Sequence, residues 1–563
     1  MNRPLSIYRL PARGSGHRRS RSAKAVTLAA LCSIASCVAA PPTPPDAGKP
    51  PIEGMAIGEM RSEQITIASP QGVARPPFSF TPEEDAFLDE VQRATFDYFW
   101  NDVAPETGMI PDRSSTQTVS VAGVGFQLSA LCIGVERGWV TRDAAEQRAR
   151  TIIDVLSGNP DNRRDGLFYH FISGRTGGQP EQAYEIAVSS IDTALLMAGL
   201  ITASSYFGGD VAQAADRLVS EANWASLVCG DAADPARPED ADFISLAWKP
   251  SDPKNIHGPG RKTPWVWIDS GDEHRVVTFL AVAAPKREFG VEPELYYRLR
   301  RPLGQHPAAP RAIGDGTYAM SPTHVDEHGN LRGGEPGMMV FLPWSGAMFI
   351  HQFAHCWIDY AGMAADNPRA RGVENRARVD WWENARRFTR MQQLKAIENP
   401  KKLAGFGEMG WGLTAGDWAK GYQVPGLHPQ PIAAPGDRLG IDVPLYVPKD
   451  DWGDGTIAPY GAGSSIMFAP ARALASMRWM RELKAADGKR PLAWRARGEP
   501  NGYGFASFNI ASDWTAPEYI AIDQGPLILA IENARTGLLW KLFHQHPIVQ
   551  EGARRLGWTV PAR

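Results

Sequence analysis

Carboxylates that open two apolar segments are the residues in this sequence best placed to do chemistry. Glu185 precedes Ser189, Ser190 and Asp192 at the start of a strongly apolar run, and Asp272-Glu273-His274 opens another just after Trp265, Trp267 and Asp269. Two acids held on either side of a bond divide the labour. One carboxylic acid gives its proton to the leaving oxygen, and one carboxylate activates water or attacks. Spacing in sequence does not give their separation in space, which decides the stereochemical outcome. Each acid also has a plain structural use: Glu185 as a partner of a helix dipole, Asp192 as a buried cap or ion-pair member.

The second half of the chain is denser in such residues. His351, His355 and Asp359 fall at i, i+4 and i+8, one face of a helix. That stripe suits a metal ion or hydrogen bonds to a sugar and to each other; the second reading is preferred, because no third-ligand motif stands out elsewhere. Glu408 and Trp411 lie among glycines, which let backbone approach a ligand, although Glu408 also reads as a scaffold acid. Asp454 stands in an Asp-Gly-Thr run that is equally a turn signal. Tyr503 precedes Asn509, and Asp523 leads into a helix it could simply cap. Eighteen tryptophans are available to stack on the C–H faces of sugar rings, yet a single indole more often fills a helical core. No G-x-S-x-G element, Walker loop or dinucleotide fingerprint competes.

These residues need a frame to position them. Thr81 followed by Pro82, Glu83 and Glu84 is a helix start, and Phe87, Leu88, Val91, Phe96, Phe99 and Trp100 follow at helical spacing. Similar segments are expected near 118–137, 141–157, 185–206, 210–228, 272–284, 347–363, 376–396, 464–485 and 525–541, with short strands near 317–320 and 337–342. No repeat of fixed period appears. Paired helices joined by long loops rich in Gly, Trp, Asp and Glu point to an all-α fold, a closed double ring of about twelve helices in one domain over 81–560, with an open solenoid as the alternative.

The ends and the bulk numbers set the setting. A formal charge of −3 over 563 residues leaves no basic field for nucleic acid. Arg13, Arg18, Arg19, Arg21 and Lys24 precede the apolar run 25–35, too short for a stable bilayer span. The run closes on Ile34-Ala35-Ser36-Cys37, similar to a bacterial lipobox. Residues 1–36 are therefore read as a signal peptide, Cys37 as the lipidated residue and 37–80, rich in Pro, as a tether. Plain cleavage near Val38-Ala39-Ala40 is the alternative. Either route takes the mature chain out of the cytoplasm: lipid-anchored, it is expected in the periplasm or at the outer membrane, the lipid being its membrane partner, and cleaved without lipid it is expected to be secreted. Cys132, Cys229 and Cys356 show no CxxC spacing, so structural zinc and a disulfide framework are not expected.

The runs HQFAHCWID, GFGEMGWGLTAGD, DGTIAPYGAGSSIMFAP, YGFASFN and YIAIDQGPLILAIENARTGLLWKLF, with TGMIPDRSS, VAGVGFQLSALCIGVERGW, GLFYHF and EIAVSSIDTALLMAGL before them, resemble the glycoamylase-like family. That family includes the endo-β-1,2-glucanases of glycoside hydrolase family 144. The resemblance spans about 82 to 558. It implies an (α/α)6 toroid and inverting hydrolysis of a β-glucan, β-1,2-linked; a monomer without cofactor or metal is expected. On it Glu273 matches the proton donor, Asp192 the base with Glu185 as its alternate, and Trp265, Trp267, His351, His355, Glu408, Trp411, Asp454, Tyr503 and Asp523 line sugar subsites. His274 replaces a small residue of the family, a change expected to narrow the cleft. A polysaccharide lyase, a transglycosylase and a glycan-binding lipoprotein without turnover are the rival readings.

Overall fold

The computed structural model describes residues 66–70, 72–180, 185–306, 339–431, 442 and 449–559, with two-residue strands at Arg311–Ala312, Tyr318–Ala319, His324–Val325 and Leu331–Arg332. The leader and Cys37 lie outside the described residues. The described part of the Pro-rich stretch rests on the domain: Thr66–Ile67 pairs in parallel with Arg378–Val379, and the Phe78 N–H donates to Ala534 O at 2.7 Å.

The helices are α1 (Pro82–Asn101), α2 (Val121–Glu136), α3 (Arg142–Gly158), α4 (Ser190–Phe207), α5 (Gly209–Glu221), α6 (Asp272–Ala283), α7 (Glu294–Arg298), α8 (Trp381–Glu398), α9 (Pro459–Ser464), α10 (Pro470–Glu482), α11 (Ala521–Arg535), α12 (Leu538–His544) and α13 (Pro547–Leu556). Helices α2, α4, α6, α9 and α11 are buried nearly all round, as apolar sequence on every face requires of an inner position. Together with a non-α strip at 348–356 they form the inner ring, which closes where α11 packs on α2. Around them lie α1, α3, α5, α8, α10 and α13, whose apolar faces turn inward. The fold is the expected all-α double ring.

Glycine sets the closest crossing. A Cβ on Gly125 would sit 2.1 Å from Leu195 O, and one on Gly199 would sit 2.1 Å from Gly125 O, so α2 and α4 touch backbone to backbone. This contact brings the openings of the two helices together.

Three segments depart from the sequence reading. The run 347–363, expected as one helix, is two 3₁₀ turns, Met348–His351 and Ala354–Cys356. Neighbouring groups capture its backbone: Asp272 Oδ2 accepts the N–H of Ala354 at 2.9 Å and of His355 at 3.4 Å, which an α-helix would spend within itself. The span 464–485 breaks ahead of Pro470, where a proline opens α10. The span 525–541 splits at Gly537, which adopts φ +72° between α11 and α12. Strands at Tyr318–Ala319 and Met339–Phe341 lie where alternation placed them.

Candidate active site

All six inner elements send their N-terminal ends to one place. A cavity is lined by Ala122 from α2, Ile191, Asp192 and Leu195 from α4, Glu273 from α6, Phe349 and Phe353 from the 3₁₀ strip, Tyr460 from α9 and Ile522 beside Asp523 in α11. Loops add Trp344, Ala415, Tyr422 and Val424. Partial positive charge at helix starts favours anionic or electron-rich groups there.

Asp192 and Glu273 share this cavity but sit in opposite electrostatic settings. Burial, then the nearby Asp192 and Asp272 carboxylates, push Glu273 up to about 8, with the Trp344 indole N–H pulling the other way. At neutral pH Glu273 therefore holds a proton to give. Asp192 faces a base instead: Oδ2 lies 2.6 Å from His170 Nδ1, and Ser189 Oγ donates to the same oxygen at 2.5 Å. Burial works against a charge on His170, but Asp192, Asp112 and Glu185 outweigh it and raise its pKa above the ordinary value. The strand Val188–Ser189, paired with Ala247–Pro250 and through it with Gly260–Lys262, fixes Ser189 at the N-cap of α4.

A second cluster lies behind Tyr422. Its O–H donates to Asp523 Oδ1 at 2.9 Å, and burial raises Asp523 well above the usual carboxylate range. Arg113 pairs with Asp417 at 3.3 Å and Glu518 at 3.0 Å, and its guanidinium lies 6.0 Å from the Tyr422 ring. Asp523 thus supports a cavity wall in the first turn of α11 rather than capping it, since the N-cap is Ile520.

Other expected residues lie elsewhere. Glu185 is outside the cavity, ion-paired with Lys249. Trp267 is fully buried, its Nε1–H donated to Ser190 Oγ at 2.6 Å, and Trp265 packs on the core. Trp411 is likewise sealed in the core. His351 stacks on Phe388 with centroids 3.9 Å apart, and His355 is wedged at 5.0 Å against both Tyr360 and Phe468. Burial holds both histidines well below the usual range, hence neutral. The 3₁₀ turns dissolve the helical stripe that would have aligned them. Glu408 is exposed away from the cavity lining. Asp454 serves the turn, accepting Thr456 N–H at 3.0 Å, and Tyr503 packs against Tyr98 and Tyr519. His274 does not narrow the cavity: it turns inward, accepts the Asp269 N–H at Nδ1 (2.8 Å), and stacks edge-on to Trp267. Among the described residues no cluster of three or more His, Cys, Asp or Glu could hold a metal ion, and Cys132, Cys229 and Cys356 are buried and free.

Sequence reasoning missed His170, Trp344, Tyr422 and Tyr460. His170 and Tyr460 stand inside runs already noted, GLFYHF and IAPYGAG, but their types alone carry no signal; Trp344 and Tyr422 come from loops without periodicity.

An α/α double ring is also the architecture of solved structures similar to this chain. A Bacteroides uniformis protein of known structure is 28% identical, covers 86% of this chain and 100% of its own, and superposes with a TM-score of 0.61. The endo-β-1,2-glucanase of Chitinophaga pinensis, solved with sophorotriose and glucose, shares the fold at 23% identity, a TM-score of 0.60 and coverage of 86% and 100%. Residues 267–547 match the family model described as "Putative glucoamylase". An exo β-1,2-glucooligosaccharide sophorohydrolase (non-reducing end) of Parabacteroides distasonis is 27% identical over 86% of this chain. The chain spans 59% of that relative's length. In its family-model match over 267–547, its curated relative and its fold, this chain is similar to the glycoamylase-like proteins.

Proposed function

We propose that this protein is a glycoside hydrolase that cleaves β-1,2-glucan with inversion, Glu273 acting as general acid and Asp192 as general base. The observation that carries the reading is one cavity holding a buried carboxyl that keeps its proton to about pH 8 beside a carboxylate paired with His170. In the step, Asp192 removes a proton from water as the water oxygen bonds to the anomeric carbon. The glycosidic C–O bond breaks, and Glu273 protonates the departing oxygen, so one water is consumed per bond. Tyr422, Tyr460 and Trp344 supply hydroxyl and indole groups to the sugar, and Phe349 and Phe353 its apolar floor. The linkage is supported by the β-1,2-specific names of the sophorohydrolase and glucanase relatives.

The test is a panel of β-1,2-, β-1,3-, β-1,4- and β-1,6-glucans with product analysis. Short β-1,2-linked oligosaccharides of inverted anomeric configuration support the reading. Turnover of another linkage alone, chain lengthening or an unsaturated product contradicts it. We also propose that Cys37 carries lipid outside the cytoplasm; labelled palmitate incorporated by the wild type but not by Cys37→Ala is the expected result, and equal labelling of both refutes it.

A further inference from the structure

We propose that His170 is a positioning residue that holds Asp192 from behind the cavity, clamping one carboxylate oxygen so that the other faces substrate. The inference rests on the hydrolase reading above and adds to it a residue that itself lines no part of the cavity.

The geometry is specific. His170 is 1% exposed and its backbone is tied on both sides: its N–H donates to Ala187 O at 2.8 Å, and its carbonyl accepts the Val121 N–H at 3.2 Å, where α2 begins. The imidazole is thereby fixed between the starts of α2 and α4, with the Phe171 ring edge-on at 3.9 Å. Both contacts to Asp192, from His170 Nδ1 and Ser189 Oγ, converge on Oδ2. No hydrogen bond among the described residues reaches Oδ1, and Asp192 lines the cavity. A base held this way meets water with one oxygen in a set direction.

The charged groups that face His170 are Asp192 from α4, Asp112 from the loop before the Thr118–Ser120 strand, and Glu185 from the segment before α4. All three are acids, and Lys249 is already paired with Glu185. The charges facing His170 thus favour its protonated form against burial.

The experiment compares wild type, His170→Ala and His170→Gln on β-1,2-glucan, with ring ¹⁵N NMR of His170 in wild type and Asp192→Asn. Loss of the clamp should lower kcat about 100-fold in H170A, leave KM within about 3-fold, and move the acid limb of the rate profile to higher pH. H170Q, able to donate to Oδ2 but uncharged, should recover part of kcat and keep the displaced limb. The NMR signal should report an imidazolium at pH 6 that D192N weakens. A neutral His170 at pH 6, or variants whose acid limb stays at the wild-type position, overturns the proposal. Should the wild type cleave no glucan at all, the hydrolase reading falls, while the ring-nitrogen measurement still decides the pair.

Discussion

Two regions of this molecule are equally rich in residues that could do chemistry, and only one of them opens on a shared cavity. The openings of α4 and α6 hold Asp192 and Glu273 on a shared cavity; the strip from His351 to Asp359 holds two histidines sealed among rings and a buried acid. Burial acts in both, with different outcomes. On Glu273 it acts beside neighbouring carboxylates and stores a proton at the cavity wall. On His351 and His355 it acts beside Arg275, with no acid to favour the charge, and leaves two neutral rings that pack as aromatics. Residue type and spacing nominate; a common cavity with opposed charge settings selects.

The comparison breaks most sharply at Glu273. Glu273→Gln should lower turnover of β-1,2-glucan by about 10⁴-fold or more while the protein stays folded, and Asp192→Asn by about 10³-fold, read as product release per folded enzyme. The adjacent acid should behave in the reverse way. Asp272 pairs with buried Arg275 and accepts two N–H groups of the 3₁₀ strip, so Asp272→Ala should cost about 3–5 kcal/mol in denaturant unfolding. A folded but inactive Asp272→Ala would blur the distinction drawn here.

Smaller effects follow from protonation. Glu273 has a folded pKa raised from 4.5 to about 8, so its favourable contribution is complete below 4.5 and is lost as pH rises through about 8. Glu273→Gln should therefore gain stability over wild type, by a few kcal/mol above pH 8 and by little at pH 4. His274, lowered to about 3, and His351 and His355, held well below the usual range, run the other way: their contribution holds above 6.5 and is lost as pH falls below it. The smallest expected change is in His355→Leu, with kcat/KM within about 3-fold of wild type and a shallower loss of stability between pH 6.5 and 5. A large fall in activity there would return the histidine strip to the site.

Much of the frame was legible because periodicity reports burial. Apolar runs on every face marked α2 and α4 as inner helices, and Thr81 with Glu84 marked the start of α1, where the structure shows a reciprocal capping box. Asp192 and Glu273 were legible because both open apolar helices, which puts them at one end of the ring. What the sequence could not show is which way a side chain turns. Trp267 and Trp411 look like sugar platforms by type but are pinned inside the core, and His274 bends into it. The strip 348–356 could not be foreseen as 3₁₀, because Asp272, 82 positions before Ala354, takes its N–H groups. His170 reaches Asp192 only because the fold sets the bend between the strands Leu167–Phe168 and Phe171–Ser173 beside the start of α4.

The central claim, that Glu273 gives its proton to the departing sugar oxygen, is tested most directly by kcat/KM against pH for wild type and Glu273→Gln on an aryl β-sophoroside whose phenol needs no protonation to leave. The account predicts an alkaline limb near pH 8 for wild type on β-1,2-glucan, and substantial activity of Glu273→Gln on the aryl substrate with that limb gone. A variant equally inactive on both substrates, or one that keeps the limb, would contradict it.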